Sequence, residues 1–246
     1  MTTSPSGLGP VSNPSSLTEN ELAALIDHTL LKPEATEDDI ALVCREARQH
    51  GFKSVCVNGS WVSFVAKQLD GSGVIACSVV GFPLGAMTST AKALEAEEAV
   101  SFGASEIDMV LALGRLKSGD RDYVEADIRS VRRAIGEGIV LKVIIETSKL
   151  SEGEKAPACE IAVQGGANFV KTSTGYGPSG SKLEDVRLMR ETCSPAVEVK
   201  AAGGIRTLTQ FLEMLDAGAV QQGTRSTKVI IEEARSQEAD GSLTRL

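Results

Sequence analysis

Eight short apolar runs recur along the chain, and segments of helical period lie between most of them. The runs are Leu25–Leu30, Ser54–Val57, Val74–Val80, Glu106–Leu111, Val140–Glu146, Phe169–Thr172, Val197–Lys200 and Val220–Gly223. The intervening helical segments include Thr36–His50, Thr88–Phe102, Tyr123–Ile135, Glu152–Gly165, Lys182–Glu191 and Leu208–Ala217. Several open on cap residues (Thr36, Ser151, Thr207) and several close at Gly103, Gly165 or Gly218, as helix ends require. Strands that alternate with helices form parallel βαβ units, and eight of them close a barrel. An open doubly wound sheet often carries a glycine-rich turn after its first strand. Here that turn is Leu31-Lys-Pro-Glu, without glycine. The pattern therefore predicts an α/β chain forming a single-domain (β/α)8 barrel over residues 17–246, and the length of 246 residues fits one such domain. Thr18-Glu-Asn-Glu predicts a short N-terminal helix at the bottom of the barrel. The Ser/Pro/Gly-rich residues 1–16 read as a disordered leader outside it.

Charge and cysteine usage narrow the partners. The formal net charge is −8 with no long run of one sign, which argues against nucleic acid or an anionic membrane as partner. It leaves room for a small phosphorylated ligand. The five cysteines (Cys44, Cys56, Cys77, Cys159, Cys193) form no CxxC pair and the histidines are only His28 and His50, so neither a zinc cluster nor another metal or cofactor is expected. Scattered thiols of this kind suit a cytoplasmic protein. No stretch is apolar enough to span a bilayer. Scarce aromatics fit a barrel interior packed with Val, Ile, Leu and Ala.

In barrels the chemistry sits at the C-terminal ends of the strands. Polar residues inside strand patterns are therefore the candidates: Asp27, Asp108, Lys142, Lys171 and Lys200 on the first, fourth, fifth, sixth and seventh runs. Buried charges of this kind need partners, and this set can pair with itself. Lys171 ends its strand before a hydroxyl- and glycine-rich loop, where a lysine freed of its proton acts as a nucleophile; Lys200 next door supplies the cation that favours such loss. Asp108 is placed for acid–base work. The spacing alone leaves a second reading open, in which the lysines reach solvent and the carboxylates only pair with them. Lys142 and Asp27 either line the pocket or belong to that charge network. Ala202-Gly-Gly-Ile-Arg and Gly223-Thr-Arg-Ser follow the last two strands, where barrels often bind phosphate. Gly203, Gly204, Arg225 and Ser226, with Gly175, are the expected anion ligands. His28 is expected to fix structure around the first strand, Cys56 to be a small buried group, Trp61 to pack a helix, and Gly81-Phe-Pro-Leu-Gly to shape the site mouth.

Seven stretches carry a family resemblance. They are Leu25-Ile-Asp-His-Thr-Leu-Leu-Lys-Pro, Val55-Cys-Val-Asn, Val80-Gly-Phe-Pro-Leu-Gly, Glu106-Ile-Asp-Met-Val, Leu141-Lys-Val-Ile-Ile-Glu-Thr, Phe169-Val-Lys-Thr-Ser-Thr-Gly and Val199-Lys-Ala-Ala-Gly-Gly-Ile-Arg-Thr. In these, and in their order from Leu17 almost to the C-terminus, the chain resembles the deoxyribose-phosphate aldolases. The resemblance implies a metal-independent class I aldolase that cleaves 2-deoxy-D-ribose 5-phosphate reversibly to acetaldehyde and D-glyceraldehyde 3-phosphate. It implies Lys171 as the Schiff-base lysine, Lys200 as the lysine that keeps it reactive and Asp108 as the carboxylate of the proton relay. A homodimer is the default expectation for such a barrel. One region departs from the family pattern: Gly218-Ala-Val-Gln-Gln-Gly-Thr-Arg-Ser places Gln222 where an apolar strand residue is usual and Arg225 where serine is common. The alternatives are a phosphosugar-binding barrel without catalysis, or an aldolase with another phosphorylated substrate.

Overall fold

The computed structural model describes residues 17–244. The expected leader, residues 1–16, lies outside the described residues. Strand β1 (Ile26–Thr29) is followed by β2 (Ser54–Val57), β3 (Ile75–Val80), β4 (Ala104–Val110), β5 (Val140–Ile144), β6 (Phe169–Lys171), β7 (Glu198–Ala202) and β8 (Gln221–Thr224). All pair in parallel with their sequence neighbours, and β8 closes on β1 through Asp27 opposite Gly223. The (β/α)8 barrel read from the sequence is therefore the fold.

The helices are α1 (Glu19–Ala23), α2 (Glu37–His50), α3 (Val62–Leu69), α4 (Ser89–Ser101), α5 (Leu113–Lys117), α6 (Arg121–Ile135), α7 (Glu152–Gln164), α8 (Leu183–Thr192), α9 (Leu208–Asp216) and α10 (Thr227–Asp240). Their ends follow the caps. The Thr18 and Thr36 hydroxyls accept from Glu21 and Asp39 amides, whose carboxylates return to the cap amides. Glu154 accepts from the Ser151 amide at 2.7 Å, and Thr207 caps α9. Short α1 packs beside α10, with Glu19 bridging to Arg235. No helix among the described residues is long and apolar enough to cross a membrane.

Period-two alternation in the strands decides where the core lies. Outward residues such as Ile26, Val55, Ile107, Leu141, Val143, Val170 and Val199 pack under the helices and form the main apolar core. The inward faces carry Asp27, Ser54, Glu106, Asp108, Lys142, Lys171, Lys200 and Gln221, all nearly or fully buried. Leu31, Cys56, Cys77 and Val79, with Phe82 against them, form a small apolar cluster inside, and Val110 and Ile144 share the inward face. The expectation of an interior packed with branched residues is thus corrected: those residues fill the sheet–helix layer, and the barrel holds charge. Such an interior is tolerated only when each charge finds a partner.

His28 faces out of the barrel. Its ring bonds Glu46 of α2 at 2.7 Å and the Thr227 hydroxyl at 3.2 Å, so it ties β1 to two helices. Trp61 packs edge-on against Phe64 at the start of α3. All five cysteines are free and buried.

Candidate active site

Strand register brings the charged residues together. Asp108 lies opposite Lys142 across β4–β5, and Lys171 lies opposite Lys200 across β6–β7. Asp108 reaches across the barrel to meet all three lysines. Its Oδ2 accepts from Lys171 and Lys200, each at 2.6 Å, and its Oδ1 lies 3.3 Å from Lys142 and accepts from the Cys77 thiol at 3.3 Å. Asp27 bonds Lys200, accepts from Lys142 at 3.2 Å, and also accepts from the Ser54 hydroxyl and the Gln221 amide, each at 2.6 Å. Lys142 is further paired with Glu106.

Three lysines therefore face three carboxylates, all of them buried or nearly so. Burial alone would raise the pKa of Asp108, but the ammonium groups of Lys142, Lys171 and Lys200 outweigh it and hold the carboxyl well below its ordinary range. Burial opposes charge on Asp27 as well, and Lys142 and Lys200 again win, so its pKa falls. Lys142 and Lys200 go the other way: burial would lower them, yet Asp108 and Asp27 raise both. Cys56, Cys77 and Asp108 bring three ligand-type atoms within 4.8 Å of one another. The ammonium groups already on Asp108 repel any further cation there, and the set suits ion pairing better than metal.

A cavity of about 200 Å³ opens at the C-terminal ends of β6, β7, β8 and β1. Lys171 is the lysine on its wall. The expected anion ligands Gly175, Gly203, Gly204, Arg225 and Ser226 line the same cavity. Gly203 and Gly204 take φ of 84° and 82°, and a Cβ built on Gly180 would lie 2.2 Å from the Gly203 carbonyl, so close approach of backbones shapes this rim. Ser226 stands at the N-terminus of α10, where the helix dipole favours an anion. Arg225 and Arg206 are exposed on the rim, and neither guanidinium has an ion pair among the described residues.

Lys142, Asp27 and Lys200 sit deeper, fully buried in the charge network, and the cavity wall is made by other residues. Of the two roles open for Lys142 and Asp27, the geometry is that of network partners. Glu106 and Gln221 also belong to the network, and neither was expected there. Glu106 had a signal: it lies two residues before Asp108 on one strand and so shares its face. Gln222, the anticipated misfit in β8, points into the helix layer, where its amide donates to the Phe211 carbonyl at 2.8 Å while its Oε1 has no partner.

A lysine amine on the wall of a glycine-rimmed pocket, touching a carboxylate and backed by a second lysine, is what a barrel aldolase of the amine-nucleophile class requires. The chain belongs to the DeoC/LacD family of aldolases, whose sequence profile matches residues 22–229. It is 52% identical over 207 residues to a deoxyribose-phosphate aldolase of Streptococcus mutans serotype c, covering 84% of this chain and 94% of that protein. It is 52% identical over 213 residues to the deoxyribose-phosphate aldolase of Clostridium kluyveri, covering 87% and 98%. The tetrameric deoxyribose phosphate aldolase of Aeropyrum pernix superposes with a TM-score of 0.82 at 32% identity, over 89% of this chain and 93% of that one.

Proposed function

We propose that the protein cleaves 2-deoxy-D-ribose 5-phosphate reversibly to acetaldehyde and D-glyceraldehyde 3-phosphate through an imine on Lys171. The observation that carries this reading is the position of Lys171: of the three interior lysines, it is the one on the cavity wall, and its amine lies 2.6 Å from Asp108. The identities to proteins named for this activity, spread over most of both chains, support it.

The steps follow from the geometry. The unprotonated Lys171 amine attacks the C1 aldehyde of the open-chain sugar, its ammonium proton having passed to solvent water, which returns it to the departing carbinolamine hydroxyl. Loss of water gives the iminium. Asp108, acting through a water molecule, takes the proton of the C3 hydroxyl as the C2–C3 bond breaks, and the bond's electrons enter the iminium to form an enamine. Glyceraldehyde 3-phosphate leaves, the enamine carbon is protonated, and hydrolysis frees acetaldehyde. Acid–base help of this kind is worth about 10²–10⁴-fold. The phosphate, held by the 203–204 and 225–226 rims and Gly175, fixes C3 relative to the amine. Lys200 keeps Asp108 and Asp27 compensated beneath the reacting amine.

Borohydride trapping with acetaldehyde, followed by peptide mass mapping, tests the reading. A reduced two-carbon adduct on Lys171, absent in Lys171→Leu, is the expected result. A folded protein without the adduct would make a phosphosugar-binding barrel the better reading. A homo-oligomer and a cytoplasmic location form part of the same proposal, the latter supported by five buried, unpaired thiols. Sedimentation velocity decides between the dimer read from the sequence and a tetramer like that of the Aeropyrum pernix protein.

A further inference from the structure

Glu146 stands where the chain leaves β5, with φ 51° and ψ 64°. It is the one non-glycine residue in the left-handed region among those described, a conformation unfavourable for any side chain with a Cβ. Its carboxylate is buried at 2% exposure. No lysine, arginine or histidine among the described residues pairs with it, so hydrogen bonds alone compensate the charge. Oε2 accepts from the Thr174 amide at 3.1 Å and from the Thr174 hydroxyl, and Oε1 accepts from the Ser148 hydroxyl at 3.1 Å. Strain combined with a buried, cation-free carboxylate is costly, and such costs cluster where geometry matters to function.

The contacts continue across the mouth of the barrel. The Thr174 hydroxyl accepts from the Tyr176 amide at 3.0 Å. The Tyr176 hydroxyl donates to the Leu31 carbonyl at 2.8 Å, beyond β1, and its ring meets Phe82, beyond β3, edge-on at 5.5 Å. Thr174, Gly175 and Tyr176 all line the cavity that holds Lys171. A Cβ at Gly177 would lie 2.6 Å from Glu146 Oε1, so the turn closes directly onto the carboxylate.

We propose that Glu146 is a positioning residue for the substrate's phosphate end: through Thr174 it sets the 174–177 turn, and with it the Gly175 rim and the Tyr176 bar across the barrel mouth. This inference rests on the phosphosugar reading of the pocket. Glu146 acts through Thr174 and touches no reacting atom. Its loss therefore weakens recognition of phosphate more than it slows chemistry at Lys171.

The experiment compares wild type with Glu146→Ala, Glu146→Gln and Thr174→Val. It measures cleavage of deoxyribose 5-phosphate, inorganic phosphate affinity by calorimetry, and the rate of acetaldehyde trapping on Lys171. Glu146→Ala and Thr174→Val are expected to raise KM and the phosphate Kd about tenfold or more, while trapping slows far less. Glutamine keeps an acceptor for Thr174 and is expected to restore most of the affinity. Should Glu146→Ala not fold, Thr174→Val and Glu146→Gln still decide. Unchanged phosphate affinity in folded Thr174→Val, or equal losses in phosphate binding and in trapping, would overturn the inference. If wild type itself traps no acetaldehyde, the aldolase reading fails, and the phosphate titrations still judge Glu146.

Discussion

Lys171 and Lys200 face each other across β6 and β7 and donate to the same oxygen of Asp108, each at 2.6 Å. Two amines on one oxygen form a shared ion pair. With Lys200 present, Asp108 keeps a counter-charge when Lys171 swings to the substrate. Without it, attack by Lys171 removes the last cation on Oδ2. Lys200→Met is therefore expected to slow imine formation by about 10²-fold or more, and to cost about 3 kcal/mol of stability because Asp27 also loses one of its two ammonium partners. Stopped-flow imine formation and urea unfolding measure both. An imine rate close to wild type in a folded variant would remove Lys200 from the mechanism.

The same network sets the pH range of stability. Asp27 and Asp108 have folded pKa values below their unfolded ones, so their contribution is complete above roughly pH 4 and is lost as pH falls further toward the folded values. Lys142 and Lys200 have raised folded values, so theirs is complete below roughly pH 10 and fades as pH rises beyond it. Urea midpoints are expected to stay level between these limits as far as these four groups are concerned, and to fall outside them. In Lys142→Met the alkaline fall should become shallower. An unaltered alkaline limb there would contradict the assignment.

Much of this was legible in the sequence, for identifiable reasons. The strands are short, bounded by caps and glycines, and buried on both faces, so their number and order survive shifts of a residue or two at the ends. Asp108, Lys171 and Lys200 stand out because charge inside an apolar run has few explanations. Gln221 did not stand out, because in Val220-Gln-Gln-Gly neither apolar alternation nor strand length tells which amide faces inward; register does, by setting Gln221 opposite Lys200. Glu146 read as the last residue of a strand that in fact ends at Ile144. Its left-handed turn is stabilised by Thr174, a long-range bond that local sequence does not encode.

Gln222 offers a test of the outer layer. Its Oε1 is buried without a partner, and its amide donates to a Phe211 carbonyl inside α9. Replacing it by leucine removes an orphaned acceptor and adds apolar contact with the sheet–helix core, at the loss of one neutral hydrogen bond. An unsatisfied buried group costs about 1–3 kcal/mol and such a bond returns about 1 kcal/mol, so Gln222→Leu should stabilise by roughly 1 kcal/mol. Its turnover should match wild type, since the side chain points away from the cavity. A lower thermal midpoint would show that the Phe211 bond outweighs the orphaned oxygen.

Arg225 occupies the rim position where the family pattern commonly has serine, beside Ser226 and the start of α10. Two effects compete there: a guanidinium adds charge-assisted, bidentate bonding to phosphate, and its bulk narrows the entrance. The side chain is exposed and has no ion pair among the described residues, so it can turn outward at little cost, and attraction should win over crowding. Solvent screening keeps the gain near the lower end for charged pairs, about 1 kcal/mol. Arg225→Ser is thus expected to raise KM for deoxyribose 5-phosphate about fivefold, with kcat and acetaldehyde trapping little changed. The wild-type advantage should shrink as salt rises from about 0.05 to 0.5 M, because the interaction is exposed to counter-ions. Steady-state kinetics across that range measure it, and a lower KM in Arg225→Ser would mean that the guanidinium obstructs the pocket it borders.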